Sequence, residues 1–172
     1  MRMISCLVLA LAISGVAAGE EAIAARINGV TITVAQFERY FEEWLDTTGK
    51  NPGAIRSPAL YKRFRRQALT ELLDEELLGQ EAKRARIAVP RKQVDAARAR
   101  LRAQFPSREA YLRRLERAGF TEATYVEHLE RQLSIQLWIE HEFGSGHAAQ
   151  TKLEEKLRAL RAAASIEVPD RF

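Results

Sequence analysis

Hydrophobic and polar positions alternate over a short stretch near residue 24, then settle into spacings of three and four for most of the chain. That pattern predicts a scrap of β-structure followed by a succession of amphipathic helices. Ala24 to Ile27 and Thr31 to Ile32 flank Asn28-Gly29, the dipeptide that most favours a tight type I′ hairpin turn. Arms this short do not hold as an isolated hairpin, so a third strand or a helix must support them. Thr33, with Gln36 three residues on, forms a capping box for a helix running to about Asp46. Along it Phe37, Tyr40, Phe41 and Trp44 recur at helical spacing.

The loop "TTGKNPGAIRSP" ends in Ser57-Pro58, a cap and a first-turn proline for a long helix to about Arg86. Its apolar face is Leu69, Leu72, Leu73 and Leu77. "IAVP" breaks it, because the residue before Pro90 disfavours helix. A helix from about Arg91 to Gln104 follows, with Val94, Ala97 and Leu101 as its stripe. Ser107 caps a short helix to Ala118, which Gly119 stops, and Thr121 caps a longer one to about Phe143. "GSGHAAQ", residues 144–150, reads as a flexible linker before a helix from Thr151 to about Ala163. Ile166 to Val168 is the remaining β-like segment. It is expected to pair with the 24–32 hairpin, tie the two ends together and bury Ile166 or Val168.

The first 18 residues change the picture of where the chain works. Arg2, an apolar run from Ile4 to Ile13, and small residues at Val16 and Ala18 have the make-up of an export signal cleaved before Gly19. The apolar run is shorter than the roughly 20 residues a membrane span needs. Cys6, the single cysteine, leaves with the signal, so disulfides, thiolate catalysis and cysteine-bound metal are excluded for residues 19–172. That remainder is long enough for one domain with a real core. The formal charge of +4 is mild, and basic residues are read as interleaved with Glu and Asp on solvated helix faces, so no nucleic-acid partner is expected.

Candidate chemistry is sparse. Glu71, Asp74, Glu75, Glu76 and Glu81 bring carboxylates to spacings of four, but on a helix rich in Lys and Arg they read as a solvated face rather than an acid–base pair. His128 and His141 diverge around their helix, and Glu140, His141 and His147 lack a defined ligand spacing, so no metal and no cofactor are expected. "FGSGH" lacks the Lys-Ser/Thr of a phosphate loop and reads as a hinge. No catalytic residue is assigned.

The segments "ARINGVTITVAQFE", "ALTELLDEELLGQEAKRARIAVP", "VDAARARLRAQFPSREAYLRRLERAGFTEATYVEHLERQLSIQLWIE" and "KLEEKLRALRAAASIEV" together resemble the N-terminal chaperone domain of SurA-like proteins, relatives of parvulin-type prolyl isomerases. The resemblance implies a mainly α, trigger-factor-like peptide-binding domain: a hairpin and helical bundle over 24–143, and a helix and strand over 151–168 that return to complete a small sheet. Family members commonly carry isomerase domains between the last bundle helix and the returning helix. Seven residues stand there here, against the roughly 100 of an ordinary domain, so isomerase activity is not carried over.

What the resemblance implies is a periplasmic holdase for unfolded or partly folded exported polypeptides, including those bound for the outer membrane. An adaptor subunit of an envelope assembly and a prolyl isomerase are the alternatives, and a homodimer is compatible with such a clamp. Holding non-native chain requires an apolar surface framed by charge. Its candidate residues are Phe37, Tyr40, Phe41, Trp44, Phe105, Tyr111, Phe120, Tyr125 and Trp138. Two-thirds of these are expected in the core, with Tyr40 and Tyr111 as the surface choices because a phenol tolerates one wet end.

Overall fold

A three-stranded antiparallel sheet of order β2-β1-β3 sits at one end of a helical body in the computed structural model, which describes residues 22–50, 53 and 55–169. The expected export signal lies outside the described residues. Strands β1 (Ile23–Ile27) and β2 (Val30–Thr33) form the hairpin, and β3 (Ile166–Glu167) pairs with the other side of β1. Asn28 and Gly29 both take positive φ, +50° and +82°, as a type I′ turn requires.

The third strand is therefore the C-terminal one, and its attachment runs through the turn. Asn28 donates its backbone N–H to the Ser165 carbonyl (2.9 Å). Its side-chain Oδ1 accepts the Ser165 N–H (3.0 Å), and its Nδ2 donates to Gln80 Oε1 (2.8 Å). One amide thus joins the hairpin, the longest helix and the returning tail. Burial at the tail differs from expectation: Ile166 is 37% and Val168 43% exposed. Pairing with β1 leaves the outer face of this two-residue strand uncovered, so the tail is held by hydrogen bonds more than by buried apolar surface.

Of the six helices among the described residues, four start at side-chain caps. Helix α1 (Val34–Thr47) starts at the Thr33–Gln36 capping box, α2 (Pro58–Arg84) at Ser57, α4 (Arg108–Arg117) at Ser107 and α5 (Glu122–Phe143) at Thr121, each cap oxygen accepting a backbone N–H of the first turn. Between α2 and α4 lies α3 (Arg91–Arg102). The last helix, α6 (His147–Ala163), begins four residues earlier than expected. Gly146 precedes it at φ +95° without a side-chain cap, and the helix runs back through "HAAQ", where Ala149 is buried. The turn between α5 and α6 is thus only residues 144–146.

Two core clusters meet along α2. One joins Ala24, Ala25, Ile27 and Ile32 of the sheet to Phe37, Phe41, Trp44 and Leu45 of α1 and to Leu69, Leu73 and Leu77 of α2. The other joins Leu78 and Ala82 to Ile135 and Trp138 of α5, with Leu153, Leu157 and Leu160 of α6 packed against it. Leu160 touches both, so α6 seals the seam between them.

Of the five α2 carboxylates, Glu71 is exposed as the sequence suggests, but the other four are drawn into contacts with α5 and α6. Asp74 and Glu81 are buried; Arg161 of α6 holds Asp74 with two donors, and Lys156 reaches Glu81 at 2.8 Å. Arg131 of α5 donates to Glu76 at 2.6 Å, and Gln132 donates to Glu75 at 2.6 Å. A buried charge is tolerated only when paired and hydrogen-bonded, and these pairs fix the position of α5 and α6 on α2. Gly79 is what lets Arg131 pass, since a Cβ there would lie 2.5 Å from its guanidinium.

Candidate functional site

Between the hairpin and α1 on one side and α4–α5 on the other, the structure leaves a cleft of about 620 Å³ with α2 as its floor. Strand β2 contributes Val30, Thr31 and Ile32 to it. Side chains alternate along a strand, so three consecutive lining residues mean that β2 presents its open edge as well as one face. Val30 is 42% exposed at the rim.

The apolar parts of the cleft are Val30, Ile32, Tyr40, Leu72 and Phe120. Phe120 packs edge-on against Tyr125 (5.7 Å between centroids) and lies 5.2 Å from the His128 ring. Its position follows from Gly119, which ends the α4 turn at φ +73° and passes so close to Arg39 that a Cβ would meet that side chain at 2.5 Å. The Arg39 guanidinium stands 5.8 Å over the Phe120 ring. Arg39 therefore spans one end of the cleft from α1.

Charge frames this floor unevenly. Glu42, Glu43 and Asp46 of α1 face Arg114 and Arg117 of α4 across the opening. Burial first, then the carboxylates of Glu75, Glu71 and Glu43, push the Tyr40 hydroxyl far above its ordinary pKa. Burial also raises Tyr125, with Tyr111 and Glu43 adding to it. Both phenols stay neutral hydrogen-bond donors across the physiological range. Burial raises the Glu75 carboxyl as well, opposed by the Gln132 hydrogen bond and by His128 and Arg131. Such a cleft can accept backbone carbonyls, cover apolar side chains and pair with charges at its rim. Among the described residues, no cluster of three His, Cys, Asp or Glu is placed to hold a metal ion.

The nine aromatic candidates divide sharply. Tyr40 and Phe120 line the cleft, and Tyr125 backs Phe120. Phe37, Phe41, Trp44 and Trp138 are buried in the two cores, where Trp44 Nε1 donates to Glu71 at 2.7 Å. Phe105 is half-buried beside Tyr111, with 6.0 Å between ring centroids and outside the cleft.

Tyr111 is fully buried, contrary to its assignment to the surface, and its hydroxyl has no hydrogen-bond partner among the described residues. The physical reason is the i, i+4 stripe it forms with Leu115, the face by which α4 packs inward. That stripe was available in the sequence as a signal. Val30 and Arg39 carried no signal, and Leu72 and His128 none toward a cleft, because the four meet only through tertiary packing.

No helix among the described residues is long and apolar enough to cross a membrane. The family of SurA-like N-terminal domains matches residues 1–139, which take in the hairpin and α1 to α4 and end within α5. No curated protein matches the chain.

Proposed function

The chain belongs to the SurA-like N-terminal domain family, and on that premise we propose that it is a periplasmic holdase for non-native exported polypeptides. In this reading it works without prolyl isomerase activity, and the three-residue turn between α5 and α6, where relatives commonly carry an isomerase domain, supports that. The observation that supports this reading is the cleft: an aromatic and aliphatic floor, a charged rim and an open strand edge in one place. Apolar contacts with Tyr40 and Phe120 reward any exposed hydrophobic side chain. Backbone pairing along β2 adds affinity that does not depend on client sequence. The charged rim keeps the empty cleft soluble.

The test is suppression of light scattering when a urea-denatured exported β-barrel protein is diluted into buffer. Val30→Asp puts a charge at the exposed rim of the cleft without touching the core. It should lower the suppression several-fold while leaving the helical circular dichroism unchanged. Undiminished suppression by Val30→Asp together with Phe120→Ser would place client binding elsewhere on the molecule.

A further inference from the structure

Charge is not spread evenly over the chain. Residues 91–118, which hold α3 and α4, contain nine Lys and Arg against three Asp and Glu, leaving eighteen against twenty elsewhere. The interleaving expected from the sequence fails here. Arg91 has Asp95 and Glu130 at 3.8 Å, and Arg108 has Glu122 at 3.2 Å. Among the described residues, no carboxylate lies within ion-pair distance of Arg98, Arg100, Arg102, Arg113, Arg114 or Arg117. Val94, Tyr111 and Leu115 are the arm's buried side chains, and none belongs to either main core cluster.

We propose that this basic arm docks acidic polypeptide segments that flank the part of a client held in the cleft. The inference rests on the peptide-binding reading above and names its client class: chains in which an extended apolar stretch is followed or preceded by carboxylates. Continuity supports it, because Arg114 and Arg117 belong both to the arm and to the lining of the cleft. Side-chain chemistry supports it too. Eight of the nine cations are arginine, whose planar fork pairs with carboxylates through two hydrogen bonds. A lipid surface fits less well. Helices that lie on membranes insert apolar side chains, and the exposed large hydrophobics of the described residues, Val30, Tyr61, Ile166 and Val168, all lie off the arm.

The experiment uses the whole chain and three labelled peptides that share one extended apolar core and end in four Glu, four Ser or four Lys. Fluorescence anisotropy should rank them Glu, Ser, Lys. The Glu peptide should bind about tenfold tighter than the Ser peptide at low salt, since each exposed pair adds a small increment. Raising salt from about 0.1 to 1 M, which shortens the screening length from about 10 to 3 Å, should erase that advantage. Combined Arg100→Ser, Arg102→Ser and Arg113→Ser changes, all outside the cleft, should remove most of it while leaving the Ser peptide unaffected.

Equal binding of the Glu and Lys peptides overturns the arm's role. If the Ser peptide still binds and still responds to Val30→Asp, the cleft reading survives that result. If no peptide binds, both readings fall together. The proposal is also overturned if the triple variant loses phosphatidylglycerol vesicles but keeps the Glu preference, or if it abolishes a salt-sensitive dimer seen by sedimentation with no effect on peptides.

Discussion

Replacing Asn28 with glycine isolates the contribution of a single side chain to holding the two ends of the fold together. Glycine accepts φ +50° without strain and keeps the backbone N–H to Ser165, so the turn itself is preserved. What disappears is the Oδ1 acceptor for the Ser165 N–H and the Nδ2 donor to Gln80. Both bonds are exposed, so each contributes about 0.5–1 kcal/mol, toward the low end for hydrogen bonds. The added freedom of glycine in the unfolded chain costs about 0.5–1 kcal/mol more. Together the change should lower stability by about 1.5–3 kcal/mol, a large share of an ordinary 5–15 kcal/mol. Urea denaturation followed by tryptophan fluorescence measures it, and amide exchange at Ser165 should accelerate in parallel. Asn28→Asp keeps the acceptor and tolerates the same φ, so it should lose less than half as much. If Asn28→Gly unfolds within about 0.5 kcal/mol of the parent, the scale of an ordinary surface change, the turn does not anchor the tail.

Tyr111→Phe removes a buried hydroxyl that has no partner, so it should leave stability unchanged or raise it by up to about 1 kcal/mol in the same urea assay. A loss above about 1 kcal/mol, the net contribution of an ordinary hydrogen bond, would show that the hydroxyl is satisfied in solution. Glu75→Gln tests the half-buried carboxyl that lines the cleft. Its folded-state pKa is raised, so the fold binds that proton more tightly than the unfolded chain does, and this contribution to stability is lost as pH rises through the folded value. The variant should therefore match the parent below about pH 4, where both folded and unfolded carboxyls are protonated, and exceed it near neutrality. An advantage that is the same at both pH values would refute the burial argument.

Much of this architecture is legible residue by residue. Thr33, Ser57, Ser107 and Thr121 announce their helices because a cap is a local interaction between residues three apart. Asn28-Gly29 announces the turn for the same reason, and the lone β-like tail finds its partner by elimination. What the sequence misplaces is decided by contacts far apart in the chain. Asp74 and Glu81 read as solvated because the α6 partners that cover them, Arg161 and Lys156, lie more than seventy residues away. The start of α6 at His147 has no capping side chain to mark it. Of the nine aromatic candidates, only Tyr40 and Phe120 line the cleft, because helical spacing says that a residue faces something but not whether that is core or cleft.

The junction of β1 with β3 also sets an order of events. Ser165 and Asn28 are 137 residues apart, and closing a loop of that length costs about 4 kcal/mol of chain entropy before any contact repays it. The sheet is therefore completed late, after the helices between its strands have formed from local contacts. Until residue 166 has emerged and returned, β1 exposes a strand edge of its own, open to the same backbone pairing proposed for clients at β2. A protein proposed to hold non-native chains thus passes, during its own folding, through a form that resembles its proposed clients.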